Sequence, residues 1–136
     1  MIALLLALQL ATAAPLPLGP IGKQALPAKG CAAFLWSPAD RTLIAMATAD
    51  PARLRLSIDG RETDVPLVAA QGPGGFGFSG STQYRAGDVT ATLDLTIAER
   101  ADLTAGAAIP SATLRLERVG KDMVVMPLAG LIGCTG

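Results

Sequence analysis

The chain has 136 residues, with 11 Lys plus Arg against 11 Asp plus Glu and 51% hydrophobic residues, which suits one small domain and is too short for two. It contains no His and no Asn, which excludes Ser-His-Asp and Cys-His catalysis, His-containing metal sites and Asn-linked glycosylation. The eight Arg are scattered singly, and residues 1–68 carry six basic and five acidic side chains against five and six in residues 69–136. Without clustered cations to neutralise phosphates, no nucleic-acid partner is expected.

Residues 2–8, IALLLAL, form a short apolar run, and Ala11-Thr12-Ala13 follows with the small side chains a signal peptidase accepts. Residues 1–13 therefore read as a signal peptide, although its start carries no Lys or Arg. Cleavage after Ala13 is preferred, because a cut after Ala14 would set the ring of Pro15 beside the scissile bond. The run is shorter than the roughly 20 residues of a bilayer-spanning helix, so no transmembrane segment is expected after signal removal. Residues 14–30, with four Pro and three Gly, read as an extended Pro/Gly-rich leader. The expected location is periplasmic or secreted.

Cys31 and Cys134 are the only cysteines and bracket the rest of the chain. In an oxidising compartment they are expected to pair, closing a loop of about 100 residues worth on the order of 4.7 kcal/mol in the chain-entropy account. A lipid anchor on Cys31 is the competing reading, but Pro27 and Lys29 stand where an anchor needs apolar and small residues.

Alternation of period two dominates residues 31–136, read as a single β domain. Leu54, Leu56 and Ile58 alternate with Arg53, Arg55 and Ser57, and Ala91, Leu93, Leu95 and Ile97 alternate with Thr90, Thr92, Asp94 and Thr96. Asp59-Gly60-Arg61 turns the first strand into residues 62–69, and Gly120-Lys121-Asp122 turns residues 112–119 into 123–130, with Gly supplying positive φ. Further strands are expected at 32–37 and 43–49, with a Gly-broken one around 76–78. The fold class is all-β, a small antiparallel sandwich or barrel of seven to eight strands.

Residues 52–66, ARLRLSIDGRETDVP, align with 112–126, ATLRLERVGKDMVVM, at six identical positions in fifteen. Either a hairpin unit was duplicated, which predicts two equivalent hairpins about a pseudo-two-fold, or two hairpins of an Ala- and Leu-rich chain are alike by chance. Pro66 and Pro127 fall one residue out of step, and each removes a ladder donor, which places both return strands at edges or bulges.

Residues 71–88, QGPGGFGFSGSTQYRAGD, hold six Gly and three of the five aromatic residues. As a binding loop, this stretch would present Phe76, Phe78, Gln83, Tyr84 and Arg85. The plainer reading, which we favour, makes Phe76 and Phe78 core residues of a Gly-bent strand and packs Tyr84 on a sheet face. Trp36 shares a face with Phe34 by alternation and is expected to fill the core near the disulfide.

No catalytic constellation emerges. Gly77-Phe78-Ser79-Gly80-Ser81 misses the nucleophile-elbow pattern at its last position and has no His to serve it. Lys23, Lys29 and Lys121 lie in the leader or a turn, no spacing selects a carboxylate pair, and there is no calcium-loop motif, so neither a metal nor a cofactor is expected.

The segments KGCAAFLWS (29–37), DGRETDVPL (59–67) and PLAGLIGC (127–134) resemble those of small exported bacterial β-proteins with no assigned function. The resemblance covers Cys31 to Cys134 and implies no activity, cofactor or site. The expected function is a non-enzymatic protein-binding or accessory module of the cell envelope, with another envelope protein as partner. The alternatives are an inhibitor of an envelope hydrolase, such as a protease or lysozyme, and a carrier of a small apolar ligand.

Overall fold

The computed structural model describes residues 17–135, and within them it has nine β-strands and no helix. The expected signal peptide, residues 1–13, lies outside the described residues. The strands are β1 (Leu18–Gly19), β2 (Gly30–Trp36), β3 (Leu43–Ala49), β4 (Ala52–Ile58), β5 (Arg61–Gln71), β6 (Ser81–Ala86), β7 (Val89–Ala98), β8 (Gly106–Arg118) and β9 (Val124–Thr135). From β2 to β9 every strand pairs antiparallel with the next, and β9 pairs back onto β2. The result is a closed eight-stranded up-and-down barrel with β1 added beside the end of β4. Of the two architectures expected, sandwich and barrel, the chain adopts the barrel.

The alternation read in the sequence becomes inside and outside. Ala33, Leu35, Ala45, Ala47, Leu54, Leu56, Val65, Tyr84, Ala91, Leu93, Leu114, Leu116, Leu128 and Ile132 all bury their side chains in one cluster. An eight-stranded barrel is just wide enough for side chains to fill it. Here the Ala-rich inner faces of β2 and β3 stand beside the Leu-rich face of β4, so small and large residues interdigitate. The outer face carries Arg53, Arg55, Glu62, Asp64, Gln83, Arg85, Thr90, Thr92, Asp94, Arg115 and Glu117. An apolar inside and a charged outside are the reverse of a lipid-facing barrel.

Cys31 and Cys134 stand opposite each other in the β2–β9 pairing and form a disulfide across a sequence separation of 103 residues. The bond thus staples the seam at which the barrel closes, and it indicates an oxidising environment. Close approach at this seam requires Gly130, because a Cβ there would stand 1.9 Å from the carbonyl oxygen of Phe34.

The described part of the Pro/Gly-rich stretch, from residue 17, is docked on the barrel and contributes β1. It crosses the outer face of β4, β3, β2 and β9 as a strap. Pro17 accepts the amide hydrogen of Asp59, Ile21 donates to Leu43, and the Thr135 hydroxyl donates to Pro27. Ile21 also packs with Ala32, Phe34, Leu43 and Met46 in a small outer cluster. Gln24 bonds its amide nitrogen to the carbonyl of Ile21 and to Glu62 at 3.0 Å each, while its oxygen accepts from Arg55 at 2.9 Å. Arg55 meets Asp64 in a two-pronged contact at 2.8 and 3.1 Å. Those hydrogen bonds hold the Asp64 carboxyl below its ordinary range and the Arg55 guanidinium above its own.

Two expectations change, and a third is met at bulges rather than at edges. Residues 76–78 form no strand, because a tight turn occupies them. Trp36 does not pack near the disulfide: alternation places it with Ala32 and Phe34 on the outer face, whereas Cys31 packs against the inner cluster. Pro66 and Pro127 lie on strands that have a neighbour on both sides in the closed barrel, yet each occupies a stretch paired on one side. β5 pairs with β4 through Pro66 and with β6 only from Leu67, and β9 meets β2 only from Ala129. A bulge follows Pro66 in the β5–β6 pairing, and another at Ile109–Ala112 in β8 lies opposite the residues after Pro127.

The two similar hairpins, β4–β5 and β8–β9, lie four strands apart in the ring of eight and so face each other across it. Gly60 and Gly120 have φ of +78° and +75° as expected, but the second turn holds one more residue. Arg53 faces Pro66 and Thr113 faces Pro127, so the prolines are equivalent in space though one residue out of step in sequence. The same slip sends Val65 into the core, fully buried, and turns Val125, its partner in the alignment, outward with 56% exposure.

Candidate functional site

One end of the barrel gathers the disulfide, the β3–β4 turn and the loops 72–80 and 99–105; the other carries the tight turns at 59–60, 87–88 and 119–123. The Gly-rich loop 72–80 folds back over the first end as a lid. Gly75 and Phe78 exchange two backbone hydrogen bonds of 2.9 Å, and between them Phe76 and Gly77 both adopt positive φ, +59° and +88°. A Cβ on Gly77 would stand 2.8 Å from the Cβ of Ala49, so the tip of the lid rests on the end of β3 and only Gly fits. The base is held where Leu95 donates to the carbonyl of Gly80 at 2.9 Å.

This geometry divides the five candidate residues. Phe78 is buried beneath the lid, and Tyr84 lies inside the barrel on β6 at 2% exposure. Burial without a compensating charge pushes the Tyr84 hydroxyl up to about 12. Phe76 remains at the rim, partly buried against the core. Gln83 and Arg85 point outward on β6, where Gln83 borders a shallow depression of about 190 Å³ with Ala69, Ala70, Gln71, Ser81 and Thr92. The five therefore form no single surface, and the core reading holds for Phe78 and Tyr84.

What the lid does create is a groove of about 410 Å³, open to solvent, between Pro73, Gly74, Gly75 and Phe76 on one side and Leu95, Thr96, Ile97 and Glu99 on the other. Leu95 and Ile97 belong to the inward-facing series of β7 and are left partly uncovered because β6 pairs with β7 only up to Asp94. Sequence reading missed these residues by assigning them wholly to the core; the signal was an inner-face alternation that continues past the Gly-rich loop beginning the next strand. Glu99 is exposed at the rim with no ion pair among the described residues, while its neighbour Arg100 is committed to Asp102 at 3.1 Å.

Among the described residues, no three Cys, Asp or Glu side chains converge as metal ligands, and no helix is long and apolar enough to cross a membrane. Ser79 lies in the lid between two strands, a setting unlike a strand-turn-helix nucleophile elbow. No family model, no curated protein and no solved structure matches the chain.

Proposed function

We propose that this chain is an exported, non-enzymatic binding module of the cell envelope that engages another protein at the lid end of its barrel. The observation that carries the reading is the division of the molecule into a side-chain-filled interior and an uncovered apolar groove at one mouth. An interior lined by Tyr84 and leucines at 2% exposure or less favours contact from outside over storage of a small ligand within. The lid folds inward across the mouth, which favours a receiving groove over the protruding loop of a hydrolase inhibitor. The disulfide at the barrel seam and the apolar run at residues 2–8 support export.

The test is site-specific photo-crosslinking in intact cells from three positions: Thr96 at the groove, Gln83 on the outer wall and Lys121 at the far end. A discrete protein adduct from Thr96, absent from Lys121, is the expected result. No adduct from any of the three would overturn the reading.

A further inference from the structure

Resting on the binding-module reading, we propose that the groove receives a short extended segment of the partner that pairs with the free edge of β7 and places an apolar side chain and a Lys or Arg beside it. Three observations converge on this chemistry. Among the described residues, β7 has no strand partner on its β6 side beyond Asp94 apart from the bond from Leu95 to Gly80, whereas its other side stays paired with β8 through Ala98. By the alternation of a strand, the N–H and C=O of Ile97, like those of Leu95, point to this side and border the groove as an unfilled ladder position, the arrangement that accepts an added strand. The walls offered to its side chains are Phe76, Leu95 and Ile97, apolar and partly uncovered. The rim offers one carboxylate, Glu99, unmatched by any cation among the described residues. A Lys or Arg stem can lie along the apolar wall and over the ring of Phe76 while its charged head reaches Glu99.

The experiment is an NMR titration of the full mature chain with three capped pentapeptides whose second and fourth side chains share one face of a strand, Thr-Ile-Thr-Lys-Thr (Ile-Lys), Thr-Ile-Thr-Glu-Thr (Ile-Glu) and Thr-Ser-Thr-Lys-Thr. The Ile-Lys peptide is expected to shift the amides of Gly75, Phe76, Thr96 and Ile97, and the other two are expected to bind more weakly. Glu99→Gln should weaken the Ile-Lys peptide about two- to fivefold, the range of an exposed ion pair, and leave the Ile-Glu peptide unweakened. As Glu99 is an exposed rim residue, the variant should keep the wild-type spectrum elsewhere. Equal binding of the Lys and Glu peptides, or no shifts at the groove, would overturn this proposal. A Gln83 adduct in the crosslinking experiment would then keep the binding-module reading while moving its contact to the outer wall.

Discussion

Tyr84 is the only tyrosine in the chain, so its ionisation can be followed without overlap from another phenol. Buried in the barrel, it holds its proton up to about 12, whereas an unfolded chain releases it near 10.0. Between those values the folded state binds more protons than the unfolded one. Its contribution is therefore fully present below pH 10 and is lost as pH rises toward 12, by about 3 kcal/mol across the window. Tyrosinate absorbance should report a midpoint near 12, and denaturant unfolding at pH 9 and pH 11 should show the loss; a midpoint near 10 would place the ring in solvent. The neighbouring pair makes the same point by substitution. Tyr84→Ala should cost about 3–5 kcal/mol, as deleting a buried aromatic does, and Arg85→Ala, on the opposite face of β6, should stay within about 0.5 kcal/mol. Adjacent positions in one Gly-rich stretch thus belong to different worlds, and the period of two decides which is which.

The elements that could be read in advance were those whose alternation has few interruptions: β3, β4 and β7 appear close to where Leu43, Leu54 and Leu93 place them. β6 was hidden because Gly72 to Gly80 precedes it and its inner face includes the polar Thr82, so the pattern reads as loop. The upstream half of β8 escaped for a similar reason: Pro110 and a bulge interrupt the alternation of Ala107 and Ile109. Hairpin likeness was legible up to Gly60 and Gly120, and the extra turn residue after Gly120 then reversed the faces. Two valines that the alignment matches should consequently respond differently. Val65→Ala is expected to cost on the order of 1–2 kcal/mol of buried area and packing, and Val125→Ala about 0.5 kcal/mol or less, measured by chemical unfolding. Equal losses would mean that the register across the second hairpin is the one the sequence alignment implies.

At the scale of the molecule, no single residue announces closure, because it depends on the order in which strands meet. A sandwich and a barrel can share the same inward-facing residues and differ only in whether β4 meets β5 and β9 meets β2. The cysteines were the exception, since two thiols at the ends of an alternating stretch already brought the first and last of its strands together. Replacing both, Cys31→Ser with Cys134→Ser, is expected to lower stability by about 2–5 kcal/mol. Hydrogen exchange should show protection falling first at residues 129–135, where β9 meets β2. An unchanged stability would mean that strand pairing alone secures the seam. The groove was the least legible feature, because it arises from where a strand stops pairing.

The staple at the seam has one more consequence. Residues 31 to 134 form a covalent ring, because the disulfide joins the two ends of the very stretch that builds the barrel. A protease that cuts once in the lid, or in the loop 99–105, therefore releases no fragment: it opens the ring into a linear chain with new ends, in effect a permuted molecule with every strand still attached. In an environment rich in proteases, such a chain can be clipped and remain one molecule until it meets a reductant.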